Sequence, residues 1–174
     1  MSINWDITPP YINTWSHYCL GTFRTAGSVT ATSLAWPLAN LAVFVPLTIP
    51  WPYVVRRLFW VHGSSPGGSH SIGLYRSDGT GLFVSGAVTG SGGASNIQFV
   101  TPASPIQLAP GRYFLGYAVD NTTSNRVTGN AIAASVKRLI GVYEQASAFP
   151  LPTTATFATP SNTTVMFAGI TRVV

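Results

Sequence analysis

Carboxylates are nearly absent from this chain. Asp6, Asp78, Asp120 and Glu144 are the only four, and 7% of the sequence is charged, where soluble monomers carry about a quarter. Hydrolysis, phosphoryl transfer and metal binding at neutral pH draw on carboxylates as bases, nucleophiles or ligands. Glycoside cleavage needs two of them facing each other. An enzyme is therefore not expected, and no catalytic residue, metal ligand or cofactor is assigned. Cysteine is scarcer still: Cys19 stands alone and excludes an internal disulfide. An unbroken apolar run is missing as well. The most apolar stretch, residues 38–55, is interrupted by Pro46, Pro50 and Pro52, whereas a membrane helix needs about 20 apolar residues without such breaks. No membrane partner is expected. The first twenty residues carry neither the basic start nor the apolar centre of a secretory signal. The net charge of +5 comes from missing acid rather than from a basic tract: eight Arg and one Lys are scattered, adjacent only at Arg56-Arg57 and Lys137-Arg138. Nucleic-acid surfaces cluster their cations on one face, so direct nucleic-acid binding is not expected.

What the chain does contain is Thr, Ser, Val and aromatic residues, with 17 Gly and 13 Pro among 174 residues. That length suits one domain with a full core. Residues 1–40 read as an irregular arm with one or two short strands, and residues 41–174 as a single domain. Residues 41–49 and 53–62 are dense in β-branched and aromatic side chains and predict strands. Pro50-Trp51-Pro52 cannot sit in a central ladder and marks the corner between them. Asp78-Gly79 between two strand-like runs signals a hairpin. Pro110-Gly111 launches the cleanest alternation, with Tyr113, Leu115, Tyr117 and Val119 on one face and Phe114, Gly116 and Ala118 on the other. Residues 131–143 fit a short helix or a mixed segment, with Ile132, Val136, Leu139/Ile140 and Tyr143 on one face, better than a strand that Arg138 would interrupt. Short strands at regular spacing predict an all-β fold, an antiparallel, jelly-roll-like β-sandwich.

Few constellations carry chemistry. His62 and His70 flank a glycine-rich loop, and without a nearby carboxylate or thiol they read as polar rim residues rather than a metal site. Gly90-Ser91-Gly92-Gly93 lacks the Lys-Ser/Thr and following helix of a phosphate loop. Five tryptophans stand out. Trp60 lies mid-strand and reads as core. Trp5, Trp15, Trp36 and Trp51 are the candidate interface residues, because aromatic anchors dominate protein contacts. Aromatic planes also stack on sugars, so a glycan contact is the alternative.

Several phrases together resemble a known group. They are Pro46-Leu47-Thr48-Ile49-Pro50, Arg57-Leu58-Phe59-Trp60-Val61, Ile72-Gly73-Leu74-Tyr75 with Ser77-Asp78-Gly79, Pro110-Gly111-Arg112-Tyr113-Phe114-Leu115, Asp120-Asn121-Thr122-Thr123, and Ser147-Ala148-Phe149-Pro150-Leu151-Pro152 before Ala155-Thr156-Phe157-Ala158. This set is similar to β-rich virion structural proteins of tailed bacteriophages. The resemblance implies a non-enzymatic particle component, first of all a capsid decoration or cement protein on the shell exterior. Its expected partners are further copies of itself, a trimer being the first choice, and the major capsid protein. The alternative it implies is a tail or fibre component whose carbohydrate-module-like sandwich touches host glycan.

Overall fold

The computed structural model describes residues 17–20, 32–122, 126–131, 133–162 and 164–172. Along them run β1 (His17–Leu20), β2 (Thr32–Ala35), β3 (Ala42–Ile49), β4 (Tyr53–Val55), β5 (Arg57–Val61), β6 (Ser69–Arg76), β7 (Gly81–Val84), β8 (Val88–Thr89), β9 (Ile97–Val100), β10 (Ile106–Leu108), β11 (Gly111–Val119), β12 (Arg126–Ala131), α1 (Ala134–Leu139), β13 (Tyr143–Gln145), β14 (Thr164–Met166) and β15 (Ala168–Thr171). One layer has the order β13-β3-β11-β6-β7, with β8 also beside β6. The other is built from the sheets β1-β15-β5-β9, β10-β4 and β14-β12-β2. Among the described residues every strand pairing is antiparallel. The chain passes back and forth between the layers, and the expected all-β sandwich is the fold.

Local chemistry explains the crossings. β3 ends at Ile49 and β4 begins at Tyr53, so Pro50-Trp51-Pro52 forms the corner between layers. Pro46 sits inside β3, opposite Phe114 on β11, but β13 covers β3 only over Ala42–Phe44. The missing N–H of Pro46 thus faces an edge, where proline is tolerated. The strand expected over residues 53–62 breaks at Arg56: β4 pairs with β10, and β5 with β15 and β9. The break leaves Arg56 exposed, and Arg57 lies with its guanidinium carbon 5.5 Å from the Phe99 ring centre.

Between the layers lies the main core. Val43, Val45, Ile72, Leu74, Leu115 and Tyr117 meet Tyr53, Leu58, Trp60, Met166, Ala168 and Ile170. The alternate residues of the first layer are buried too. Ala42, Phe44, Tyr75, Phe114 and Ala118 form a second core, covered by Ala148, Leu151 and Ala155, with Phe149 and Phe157 packed against it. The covering segment is tied down by its backbone: Ala148 N–H donates to Asn40 O at 2.7 Å, Gly81 N–H to Thr153 O at 2.8 Å and Ala155 N–H to Gly79 O at 2.9 Å. Side chains add to this, with Leu151 N–H donating to Ser71 Oγ at 3.1 Å and Tyr75 OH to Pro152 O at 2.7 Å. Burial pushes the Tyr75 hydroxyl far above the usual phenol range.

One expectation is corrected here, that of the helix. Within the segment read as an arm, two short strands pair with strands beyond residue 40. β2 pairs with β12, β1 pairs with β15, and Trp36 is 1% exposed in the main core, donating from Nε1 to Leu41 O at 2.8 Å. The helix is short and turned the other way from its apolar pattern. Val136 and Leu139 are 44% and 85% exposed, while Lys137 is buried. A set of polar partners for Lys137, described below, overrides the hydrophobic periodicity.

Gly116, at the centre of β11, is where the second core is tightest. A β-carbon there would lie 2.8 Å from Phe44 Cε1 and 2.9 Å from Tyr75 Cε2. Gly116→Val is expected to cost about 1–3 kcal/mol through overpacking. In thermal denaturation this lowers Tm by roughly 2–4 °C per kcal/mol, with the β-type circular dichroism retained. An unchanged Tm would show that the two rings move aside freely.

Candidate functional site

Polar side chains concentrate at three places, two of them buried. The first lies between the layers. β5 delivers Trp60 and, one residue past its end, His62; β6 delivers His70; β11 delivers Tyr117. All four are buried. The His62 and His70 rings meet edge to face with centroids 4.9 Å apart, and Trp60 stacks on His70 at 5.1 Å and 21°. His62 N–H donates to Asn96 O at 2.9 Å, and its Nε2 lies 2.7 Å from Gln98 Oε1. Gln98 is itself oriented, because its Oε1 accepts from Ser91 N–H at 2.9 Å and its Nε2 donates to Thr89 O at 3.0 Å. That carbonyl oxygen can only accept, so His62 carries its proton on Nε2. His70 Nδ1 bonds the Tyr117 hydroxyl. His70 Nε2 makes no well-formed hydrogen bond among the described residues. A β-carbon at Gly90 would come within 2.8 Å of it, so the glycine loop closes directly over the ring.

Burial is the main reason the His70 pKa falls to about 4, and the neighbouring His62 lowers it further; a backbone interaction with Gly67 and the Asp120 carboxylate oppose this incompletely. The imidazole is therefore neutral at pH 7. Burial also pushes the Tyr117 hydroxyl well above the phenol range. Expected as rim residues, both histidines are core. Period-2 alternation, which places His62 in line with Trp60 and Leu58, and His70 with Ile72 and Leu74, was the signal for it. Buried in this way, the cluster joins the two layers.

The second place is a buried ion pair behind α1. Lys137 Nζ donates to Glu144 Oε1 at 2.7 Å, and to the carbonyls of Asn162 and Thr164 at 3.1 Å each. All three ammonium protons are satisfied. Glu144 Oε2 accepts from Ser161 N–H at 2.9 Å and from Asn162 Nδ2 at 3.2 Å. Burial pushes the Glu144 carboxyl up, but the Lys137 bond and charge, with Ser161 and Asn162, outweigh it and hold it below the usual range. Nothing in the apolar pattern of the sequence pointed to this pair.

The third place is a shallow surface groove of about 260 Å³ lined by Ser77, Arg112, Phe114, Tyr143 and Phe157. Tyr143 and Phe157 stack at 5.1 Å and 23°, and the Arg112 guanidinium carbon lies 5.3 Å from the Phe114 ring centre. It offers aromatic surface and one cation.

Of the candidate interface residues, Trp36 is corrected to core, because its ring packs edge-on against Tyr117 at 5.3 Å and its N–H is used internally. Trp51 is half-buried at the Pro-Trp-Pro corner. Trp5 and Trp15 lie outside the described residues. Among the described residues no group of three His, Cys, Asp or Glu side chains is placed to hold a metal ion, and no helix is long and apolar enough to cross a membrane. Among the described residues the geometry shows an all-β sandwich with two buried polar networks and a surface groove. No protein family, curated protein or solved structure matches the chain.

Two predictions follow from the networks. His70 has a folded pKa near 4, below its ordinary 6.5, so the unfolded chain takes up the proton first. Its contribution is complete above about pH 6.5 and is lost as pH falls towards 4, about 3 kcal/mol in total at ~1.4 kcal/mol per unit. Denaturant midpoints measured from pH 7.5 to 4 should fall for the wild type, and much less for His70→Gln; equal slopes would remove His70 as the cause. Lys137→Met leaves Glu144 buried without its counter-charge and is expected to cost about 3–5 kcal/mol, whereas Lys137→Met with Glu144→Leu should recover part of that loss. Equal destabilisation in the single and double variants, measured by urea unfolding, would show that the pair does not act as a unit.

Proposed function

We propose that this protein is a non-enzymatic structural component of a bacteriophage virion, acting as a decoration or cement protein that stabilises the shell. The observation that carries the non-enzymatic part is the fate of the carboxylates. Asp78 Oδ1 accepts from Thr80 N–H at 2.8 Å within the β6–β7 turn, and the Thr80 backbone bond is the main reason its pKa is lowered. Asp120 Oδ1 accepts from Asn121 Nδ2 at 2.6 Å. Glu144 is held by Lys137, Ser161 and Asn162. Each described acid holds structure in place. Asp6 lies outside the described residues. The virion part is supported by the resemblance of the sequence phrases to phage structural proteins, by the low share of charged residues, and by exposed apolar residues such as Leu38 and Leu139.

In this role the protein binds as a homo-oligomer to the shell through apolar and hydroxyl contacts. Binding to the intact shell stabilises it by mass action. The segment before β1, with Trp5 and Trp15, supplies aromatic anchors. A second role, contact with host glycan from a tail position, is favoured by one feature only, the aromatic and cationic groove at Arg112, Tyr143 and Phe157.

Particles stripped of the protein are expected to rupture at a lower temperature than complete ones, and re-addition should restore them. Re-addition should work nearly as well in ~1 M salt, where charges are screened beyond about 3 Å. A chain lacking residues 1–16 should fold but fail to restore the particles. Equal rupture temperatures for stripped and complete particles would overturn the shell role. Release by salt alone would overturn the apolar mechanism.

A further inference from the structure

The strands β7, β8, β9 and β10 carry no charged residue of their own. From Gly79 through Gly111, between Asp78 and Arg112, there is no Asp, Glu, Lys, Arg or His. Among the described residues β9 ends its sheet in the order β1-β15-β5-β9, β10 pairs with β4 alone, and β7 ends the sheet of the other layer, where Gly81 N–H donates to Thr153 O. Gln98, bonded to Thr89 O at 3.0 Å, fastens β9 to the neighbouring β8. Along β9 exposed and half-buried residues alternate, with Ile97 at 52% and Phe99 at 43% exposure. Phe99 lies on Phe59 at 5.9 Å, and the Arg57 guanidinium packs over it.

An open strand edge exposes a row of backbone donors and acceptors, and monomeric proteins guard such edges with charge, proline, a bulge or a covering segment. β9 itself has no charged residue, proline or bulge among the described residues, and the one cation beside it, Arg57, comes from β5 and packs over Phe99. Its ladder with β5 runs without a register shift from Leu58↔Val100 to Val61↔Ile97, and Pro102 and Pro105 come only after it. Two large apolar side chains stand where lysines would guard the edge. Elsewhere the chain is cationic, with a net charge of +5, so two copies repel each other over most approaches. The approach along β9 meets strands with no charged residue of their own and only Arg57 beside them, and so carries less of this repulsion. An antiparallel pairing of identical edge strands is two-fold symmetric and closes on itself.

We infer that β9 pairs with β9 of a second copy of this chain, joining two four-stranded sheets into one and merging Ile97 and Phe99 of both copies into a single apolar stripe. The contact does not depend on the virion role, and a two-fold pairing makes the elementary unit a dimer rather than the trimer expected from the resemblance.

Sedimentation of the full chain over a range of concentrations tests this. The expected result is a monomer–dimer equilibrium. Ile97→Lys with Phe99→Lys brings four lysines, two from each copy, against one another and should weaken the dimer by at least ~100-fold. Circular dichroism should remain unchanged. Ile97→Lys alone, opposite the half-buried Val61, guards against a folding defect and should weaken the dimer less. Leu139→Lys removes the most exposed apolar residue without touching β9 and should leave the dimer intact. In hydrogen exchange, the amides of residues 97–100 should gain protection at concentrations that form the dimer. A wild type that stays monomeric up to its solubility limit would overturn the inference. So would a trimer, or a dimer that survives the double substitution or is lost with Leu139→Lys.

Discussion

The structure depends on burying the β3–β11–β6 sheet on both faces. A sheet with one face in water alternates apolar and polar residues; a sheet covered on both sides needs apolar or small residues throughout. From Phe114 to Val119 every residue of β11 is buried, and β6 is buried from His70 to Tyr75. One face packs on the opposite layer. The other has only the segment around residues 146–160, which is not a sheet. That segment must satisfy its own backbone, and it does so through bonds to Gly79, Gly81, Asn40 and Ser71. The small residues Gly116 and Ala118, between Phe44 and Tyr75, give the rings of the second core their space.

The same constraint accounts for the buried polar groups. Once both faces are covered, any polar side chain on these strands is cut off from water and must find a partner inside, since an unmet group costs about 1–3 kcal/mol. His70 finds Tyr117, and Ser71 finds the backbone of Leu151. Lys137 and Glu144 solve the problem as a pair, each with further partners of its own. A chain with so few charges keeps two of them in its interior, where they fix how α1, β13 and the turn before β14 meet.

Charge scarcity has a second consequence at the surface. The described acids are held locally, at the Asp78 turn, beside Asn121 and behind α1. Within the neutral span between Asp78 and Arg112, β9 ends its sheet among the described residues.

Much of the fold was legible in the sequence because strand signals are local. Asp78-Gly79, Pro50-Trp51-Pro52, Pro110-Gly111 and the alternation from Tyr113 to Val119 each act within a few residues, and each marks the element it predicts. The sandwich class follows from their spacing. What the sequence could not decide was which exposed-looking residues would be covered, because coverage comes from segments far away in the chain. Trp36 became core because Leu41 and Tyr117 receive it, and His70 because the glycine loop closes over it. Lys137 became core, with Leu139 left outside, because Glu144, Asn162 and Thr164 converge on one ammonium. Period and propensity report a residue's own preference, whereas burial depends on what the rest of the chain brings to it.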